Sequence, residues 1–283
     1  EHEGRSSPDA ENGIEPTRYE RLYMFGGAIA RSGKVSIRPA LQFNRYDFHD
    51  VEADGGFIEN DDRDRSQIEA GARLAYAVAD GTDLFLQGAF DRRDYDREVD
   101  DFGYRRDSRG GSIVAGIRRI FSPQLSGEAF IGYLGQNYED PRLEDVSTID
   151  AGALVTWTGL RGLAATFRVD RSAEETTLPA ASSYLLTSGS LTLSATPHSR
   201  LQTGLTVAGS KYDYRGDPRS EFVTSGNLWL RLWLNRHIYA GLDYSLSQRA
   251  SNAAGFDYDE NRLMIRLGAE LSPRYSAAAA PIR

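Results

Sequence analysis

Residues 67–93 read QIEAGARLAYAVADGTDLFLQGAFDRR, and they show most clearly the pattern from which the fold is predicted. Apolar residues occupy every second position from 68 to 78, and polar residues or glycine lie between them. After the turn at 79–82 the same alternation resumes. Because successive side chains of a strand point to opposite faces, this pattern predicts a hairpin with one apolar and one charged face. The pattern leaves open whether the apolar face packs on protein or on lipid.

The composition narrows the class of protein. A net charge of −8 argues against a nucleic-acid binder. The chain has no apolar run long enough for a membrane-spanning helix, but a membrane-spanning strand needs only about ten alternating residues. There is no cysteine, so neither a disulfide framework nor a thiolate metal site can form. The chain begins at Glu1, from which we expect that a secretory signal peptide has been removed.

The spacing of turns predicts the topology. Compact turn clusters lie at 79–82, 121–124, 158–162, 196–200 and 234–237. Long polar connections alternate with them, at about 48–65, 92–108, 138–147, 172–182, 213–220 and 249–258. Alternating segments between these connections give twelve strands. Strict alternation of short and long connections around an even number of strands is typical of an outer-membrane barrel with short periplasmic turns and long extracellular loops.

We therefore predict an all-β protein, a single up-and-down antiparallel transmembrane β-barrel of twelve strands in the outer membrane of a Gram-negative bacterium. Residues 34–271 are expected to form the barrel, with both termini in the periplasm. Residues 1–33 are expected to be a periplasmic or disordered lead-in, because a thirteenth strand at 18–33 would break the even count. Residues 272–283 would be a C-terminal tail. A soluble β-sandwich or lipocalin-like barrel is the alternative, but the strands are long for such a fold. The polar face also carries isolated charges among many glycines, serines and threonines, and not the dense lysine and glutamate coat of a soluble exterior.

In such a barrel the apolar face contacts lipid and the charged face lines the lumen. The candidate lumen residues carry both signs, so pairs across the lumen could close the barrel as readily as line a pore. They are Arg38, Glu69, Arg73, Asp91, Arg93, Glu128, Arg168, Asp170, Arg231, Asp243, Arg249, Arg262, Arg266 and Glu270. Aromatic residues near strand ends predict belts at the two membrane boundaries, with Tyr46, Tyr138, Trp157, Tyr212, Trp233 and Tyr258 as members.

Three stretches carry a resemblance to a known family. They are YEDPRLEDVSTIDAGALVTWTGLRGLAATFRVDRSAEETTL at 138–178, SNAAGFDYDENRLMIRLGAEL at 251–271 and GKVSIRPALQFNRYDF at 33–48. From about residue 30 to 271 the chain resembles the beta-barrel porin-2 family of outer-membrane barrels. Members are often encoded near exopolysaccharide or capsule synthesis genes, so the resemblance implies a role in polysaccharide secretion and brings no catalytic residues. One departure is that outer-membrane barrels usually finish on an aromatic residue, whereas this last strand ends at Leu271.

The residues supply little catalytic or metal chemistry. None of the four histidines stands near a serine in a catalytic motif, so we predict that the chain is not an enzyme. The first long loop offers hard oxygen ligands for Ca²⁺ or Mg²⁺ at Asp50, Glu52, Asp54, Asp61, Asp62 and Asp64. Their spacing is not that of an EF-hand, and a solvated negative loop is the alternative. No other cofactor is predicted. The loop at 91–107 mixes arginine with tyrosine, which suits either sugar binding or a rigid, self-paired loop.

The leading hypothesis is export or surface handling of exopolysaccharide through a polar, charge-lined lumen and acidic extracellular loops. Outer-membrane lipid and lipopolysaccharide would surround the barrel, polysaccharide and periplasmic export machinery are candidate partners, and no nucleic acid is expected. One alternative is a small-solute porin or channel. Another is a non-conducting structural or interaction barrel in an envelope assembly.

Overall fold

The computed structural model describes residues 14, 16–53, 56–159, 162–176, 178–179 and 181–270. Its strands are β1 (Tyr19–Gly27), β2 (Ala30–Ser32), β3 (Val35–Phe48), β4 (Val51–Ala53), β5 (Gly56–Ile58), β6 (Arg65–Ala79), β7 (Thr82–Tyr95), β8 (Ser108–Ser122), β9 (Leu125–Tyr138), β10 (Val146–Thr158), β11 (Ala164–Glu174), β12 (Ser183–His198), β13 (Leu201–Arg215), β14 (Ser220–Trp233), β15 (Ile238–Ser251) and β16 (Tyr258–Ala269). A 3₁₀ turn, η1, covers Asp61–Arg63. Within the described residues no helix has the length and apolar character needed to cross a membrane.

The long strands form one antiparallel sheet in which each strand pairs with the next along the chain. The order is β1, β3, then β6 to β16, while β2 also pairs with β3, and β4 pairs with β5 in a separate small hairpin. The twelve strands that the sequence predicts are present as β3 and β6 to β16. The predicted fold class, an all-β up-and-down antiparallel barrel, is confirmed. The end of the sheet that carries the turn between β6 and β7 is called the short-turn end, and the opposite end is called the long-loop end.

The segment 18–33 departs from the prediction, because it joins the sheet instead of leading into it. β1 pairs with β3 from Tyr19↔Phe48 to Gly27↔Ala40, and β2 continues that pairing toward the short-turn end. The pairing is interrupted at Pro39, whose carbonyl accepts the Ala28 N–H at 3.1 Å. On that same side proline has no N–H to donate, so the ladder breaks there. The sheet therefore has a thirteenth long strand.

This added strand also changes where the chain enters the barrel. Tyr19 lies opposite Phe48 at the long-loop end, whereas Ala269 lies opposite Ile238 at the short-turn end. Residues 1–13 and 271–283 lie outside the described residues. Within the described residues, the two ends of the sheet-forming chain lie at opposite ends of the barrel. That both termini lie in the periplasm stays a prediction.

Exposure along the strands alternates in the sense opposite to that of a soluble sheet. On β6, Ile68 and Leu74 are 41% and 49% exposed, while Ala75 is 9% exposed. The same holds around the sheet, where apolar side chains such as Ile131 and Leu205 are exposed and the polar positions between them are half-buried. A wall that exposes its apolar side and covers its polar side is what a surrounding of lipid requires.

The sheet curls toward its polar face, which is therefore the inner face. The ion pair between Arg73 on β6 and Glu128 on β9 measures 2.8 Å and joins strands that are three apart in the sheet. Beside it, Phe85 and Val114 are buried on the inner face together with Ala75. The inward orientation of Val114 explains why the alternation over 112–121 is weak in the sequence.

Gly116 makes this inner packing fit. A Cβ atom at this position would lie 2.3 Å from Cζ of Phe85, so any other residue would displace the ring. The ring in turn supports Arg73, whose guanidinium carbon lies 4.1 Å from the ring centroid. Local packing thus holds Arg73 in the position from which it reaches across the lumen.

Candidate functional site in the lumen

Toward the long-loop end of the sheet, the β11–β12 hairpin separates from the barrel wall. β10 and β11 pair only over residues 153–158 and 164–169, whereas β11 and β12 remain paired over 164–174 and 184–194. On its other side, β10 pairs with β9 along twelve residues. The hairpin therefore stays intact toward its tip while it separates from its neighbour β10.

Side-chain packing shows that the tip folds inward. Ala173 and Leu185 have the strand parity of outward-facing residues, yet both are buried, Leu185 fully. They pack against Tyr138 and Val146, which point inward from β9 and β10. The outer face of the hairpin thus lies on the inner face of its neighbours, which places the hairpin tip inside the lumen.

A buried charged contact holds this tip against the opposite wall. Glu175, directly after β11, accepts hydrogen bonds from the Arg93 guanidinium and from the Tyr95 hydroxyl, both on β7. The side chains of Arg93 and Glu175 are only 8% and 11% exposed, and Arg93 also donates to the carbonyl of Ala173 at 3.1 Å. We call Arg93, Tyr95 and Glu175 the latch. Its two sides are separated by about eighty residues of sequence.

A second arginine clamps the backbone of the tip. Arg106 lies in the loop after β7 and pairs with Asp100 at 2.8 Å. Its guanidinium donates to the carbonyls of Ala181 at 2.6 Å, Leu178 at 3.1 Å and Pro179 at 3.2 Å. Carbonyl groups that no strand partner reaches are satisfied in this way, which stabilises an irregular segment inside the barrel.

Electrostatics keep the latch carboxylate ionised. Burial alone would raise the pKa of Glu175, but the positive charges of Arg93 and Arg65 outweigh it and hold that pKa below its usual range. Arg93 also pairs with Asp91 at 2.8 Å, and Asp91 accepts a hydrogen bond from Gln67 at 2.7 Å. The latch is therefore part of a wider polar network on the inner face.

A cavity of about 530 Å³ opens above the latch at the long-loop end. The latch residues form part of its wall, and four further aromatic side chains line it, namely Tyr46, Tyr184, Phe57 and Phe102. The two phenylalanines are largely exposed. Its charged lining includes both signs, with Arg65 and Arg106 opposite carboxylates such as Asp62 and Glu174. The volume lies in the range of small-molecule sites, which is about 300–1,000 Å³.

The structure places the predicted lumen residues as follows. Thirteen of the fourteen lie on strands at inward-facing positions, namely Arg38, Glu69, Arg73, Asp91, Arg93, Glu128, Arg168, Asp170, Arg231, Asp243, Arg249, Arg262 and Arg266. Glu270 directly follows β16 and donates its backbone N–H to the carbonyl of His237 at 2.8 Å, so it lies at the short-turn end of the sheet. That these residues line a solute path stays a prediction.

Many of these charges pair with a near neighbour on the inner face. Arg266 pairs with Asp243 at 3.1 Å, and Arg168 pairs with Asp170 at 2.9 Å. Arg249 approaches Glu221 at 3.5 Å in a buried position near the long-loop end. The positive and negative side chains predicted to face the lumen therefore form ion pairs. Most of these pairs join neighbours along the wall, and the pair of Arg73 with Glu128 crosses the lumen.

The predicted interfacial aromatics are wrong for five of the six residues. Only Trp157 is exposed on the outer face. The other five have inward parity and are buried or half-buried, namely Tyr46, Tyr138, Tyr212, Trp233 and Tyr258. Trp233, for example, donates its indole N–H to Gln202 at 3.3 Å inside the barrel. Nearness to a strand end does not decide the face of a side chain, because parity along the strand does.

The acidic loop is built from separate polar contacts. Asp50 and Asp64 accept backbone N–H groups from Asn60 and Phe48, at 3.1 Å and 2.6 Å. Asp61 pairs with Arg97, and Asp62 accepts the backbone N–H of Asp101 at 3.3 Å. Glu52 lies in β4, and Asp54 falls outside the described residues. No three His, Cys, Asp or Glu side chains of the described chain gather as a metal site requires. The described part of this loop therefore supplies no ligand set for a divalent cation.

The latch and the clamp were not among the predicted site residues, apart from Arg93. Glu175 lies in the stretch RSAEETTL at 171–178, and Arg106 lies in the mixed loop at 91–107. The sequence offered one signal for this contact, namely two carboxylates at the tip of one hairpin and arginines in another loop for which the sequence indicates no partner. Only the inward fold of the hairpin brings them together.

Comparison with known families agrees with this architecture. The family model described as "Putative beta-barrel porin 2" matches residues 1–271 of the chain. No curated protein matches it.

Proposed function

We propose, because the chain belongs to the beta-barrel porin 2 family of outer-membrane barrels, that it binds exopolysaccharide at its long-loop end and passes it through the lumen. The observation that carries this proposal is the cavity above the latch. It combines aromatic rings with charged groups of both signs at the mouth of a polar lumen.

This combination suits a saccharide chain. A sugar ring has apolar faces that pack on aromatic side chains and hydroxyl groups that hydrogen-bond to charged and amide groups around its edge. Phe57 and Phe102 offer exposed rings at the rim, and Tyr184 lies deeper beside the latch. Arg65 and Glu174 supply a donor and an acceptor within the same cavity.

The inward hairpin gives the path a gate. While Glu175 is held by Arg93 and Tyr95, the tip occupies the lumen below the cavity. Passage of a polymer requires this contact to open. The proposed cycle is therefore binding in the cavity, release of the latch and movement along the inner face.

The test measures binding of oligosaccharides released by partial hydrolysis of the exopolysaccharide that the producing strain secretes. Titration calorimetry on the full chain in detergent compares the parent protein with the double variant Phe57→Ala/Phe102→Ala. Each ring contributes about 1 kcal/mol, so the double variant should bind about thirtyfold more weakly. Phe121→Ala removes an exposed ring on the outer face at the short-turn end and serves as the matched control. Equal binding by parent, double variant and control would refute the saccharide site.

A small-solute channel is the second candidate, and the ion pair across the lumen favours it. Arg73 and Glu128 narrow the path below the latch, which suits small solutes better than a polymer. Planar-bilayer conductance together with secretion by a deletion strain separates the two functions. Conductance with normal exopolysaccharide secretion by the deletion strain would favour the channel. Absence of conductance even in variants with an opened latch would favour a structural barrel.

A further inference from the structure

A group of arginines lies on the inner face toward the short-turn end, below the latch. Arg38 on β3 and Arg73 on β6 stand directly opposite each other in the register. Arg31 on β2 lies opposite Ser36, two residues before Arg38 on β3, and Arg118 on β8 lies opposite Glu128 on β9. The positive charges of both arginines act on Arg38. We call Arg31, Arg38, Arg73 and Arg118 the arginine cluster.

Two carboxylates accompany these four arginines. Glu128 pairs with Arg73 at 2.8 Å, and Asp83 is the register neighbour of Arg118 on the inner face. Arg73 also donates from its Nε to Gln87 at 2.7 Å. Arg73 therefore already has two polar partners, and the cluster as a whole keeps an excess of positive charge.

Arg38 is the member that retains a buried donor without a hydrogen-bond partner. Its Nε is buried and has no hydrogen-bond partner, and no ion pair among the described residues involves it. A half-buried guanidinium that faces the charges of three others is unfavourable, because like charges repel and its buried Nε has lost its water. Such an arrangement is stabilised when an anion occupies the space between the arginines.

We infer that the arginine cluster is a binding site for an oxyanion group, a carboxylate or a phosphate, carried by the molecule in the lumen. Planar guanidinium groups match these anions because two N–H donors can contact two oxygens at once. This inference rests on the proposed passage of saccharide and assigns a charge to the cargo, namely acidic sugar residues or phosphate substituents. The cavity above would contact the rings, and the cluster would contact the charged substituents.

The experiment uses the full chain in detergent and measures binding of two small probes by titration calorimetry. Inorganic pyrophosphate represents phosphate substituents, and trigalacturonate represents acidic sugars. Arg38→Gln should weaken binding of the preferred probe about tenfold or more, because a charge-assisted hydrogen bond is lost. Glu128→Gln should strengthen it several-fold, because a competing carboxylate is removed. Whichever probe binds more tightly identifies the source of the oxyanion.

Controls separate a specific site from general charge. Arg262 also lies on the inner face, but it is paired with Glu260 at 2.6 Å on the same strand, so Arg262→Gln should leave probe binding unchanged. Arg38→Lys keeps the charge and loses the planar donors, and it should bind with intermediate affinity. Folding of each variant is checked by circular dichroism and by its heat-dependent mobility on gels.

The inference is overturned if folded Arg38→Gln binds as the parent does, or if Arg262→Gln loses as much affinity. It is likewise overturned if neither probe binds the parent protein. Pyrophosphate carries no sugar ring and does not need the aromatic cavity, so Phe57→Ala/Phe102→Ala should bind it normally. A failed saccharide site and a failed oxyanion site therefore give different results.

Discussion

Breaking the latch should open the lumen, and Glu175→Ala is the most direct perturbation. Among the described residues, this change removes the one carboxylate that contacts both Arg93 and Tyr95. The tip would then be held by the Arg106 clamp and by the apolar contacts of Leu185. We expect ion conductance to rise because the tip spends more time outside the lumen.

The magnitude follows from burial. Arg93 and Glu175 are 8% and 11% exposed, so their contact belongs to the class of buried pairs, for which removal of one partner costs about 3–5 kcal/mol. Arg93 retains Asp91 at 2.8 Å, which places the expected loss at the lower end, about 3 kcal/mol. Since 1.4 kcal/mol is a tenfold change, the ratio of open to latched states should increase about a hundredfold.

Single-channel recording in planar bilayers measures this ratio as open probability. Arg168→Gln is the matched control, because it breaks another inner-face ion pair whose arginine is 47% exposed. Exposed pairs contribute about 0–1 kcal/mol, so the control should change open probability less than about fivefold. Arg106→Gln combined with Glu175→Ala should open the channel further than Glu175→Ala alone.

The reasoning would be refuted by folded Glu175→Ala protein whose open probability matches that of the parent and of Arg168→Gln. That result would mean that the tip stays in the lumen through its apolar contacts, or that it does not obstruct the path. A Leu185→Asp variant distinguishes these two explanations. If it also leaves conductance unchanged, the hairpin is not an obstruction.

Three further predictions concern pH, lipid contact and barrel closure. Conductance should stay low from about pH 8 to about pH 5 and rise only below the usual glutamate pKa of about 4.3. The reason is that Arg93 and Arg65 overcome the effect of burial and lower the pKa of Glu175. The latch is therefore lost only as the pH falls through that lowered pKa. A rise in conductance near neutral pH would contradict this prediction. Ile131→Arg, on the outer face, should lower the free energy of unfolding in vesicles by about 2–4 kcal/mol, measured by urea denaturation, whereas Phe102→Arg in a loop should have little effect; equal losses would argue against lipid contact. β1 and β16 run in the same direction, and a bilayer does not tolerate unpaired strand edges, so these two strands should pair and close the barrel. Cysteine pairs between residues 22–25 and 262–265 should therefore cross-link in membranes. Cross-links from 262–265 to β3 instead would show that β1 is displaced.

The wall of the barrel could be predicted because its determinants are local. Period-two alternation fixes the face of each side chain, and turn length fixes which strands are neighbours, so β3 and β6 to β16 follow from the sequence. β1 was not predicted. The expectation of an even strand count excluded it, although the free edge of β3 accepts a further strand whatever the count.

The inside of the barrel was less predictable because its contacts are long-range. Parity indicates that Arg93 points inward, but nothing in the alternation indicates that Glu175, eighty-two residues later, meets it. The buried inner phenylalanine Phe85 was also missed, since an apolar residue at an inward position interrupts the pattern. The misplaced aromatic belt has a similar origin. Tyr46 and Trp233 lie near strand ends, but they have the parity of lumen residues.

The latch and the cavity share Arg93, Tyr95 and Glu175, so binding and opening are coupled under the proposed function. A ligand can shift the latch only as far as its affinity differs between the latched and released states. To offset a contact of about 3 kcal/mol, the saccharide must bind the released state about a hundredfold more tightly. Hydroxyl groups that replace Glu175 on Arg93, or replace Arg93 on Glu175, provide that preference directly, because those groups are free to bind them only when the hairpin has moved. A saccharide that merely packs on Phe57 and Phe102 would bind both states equally and would leave the lumen closed.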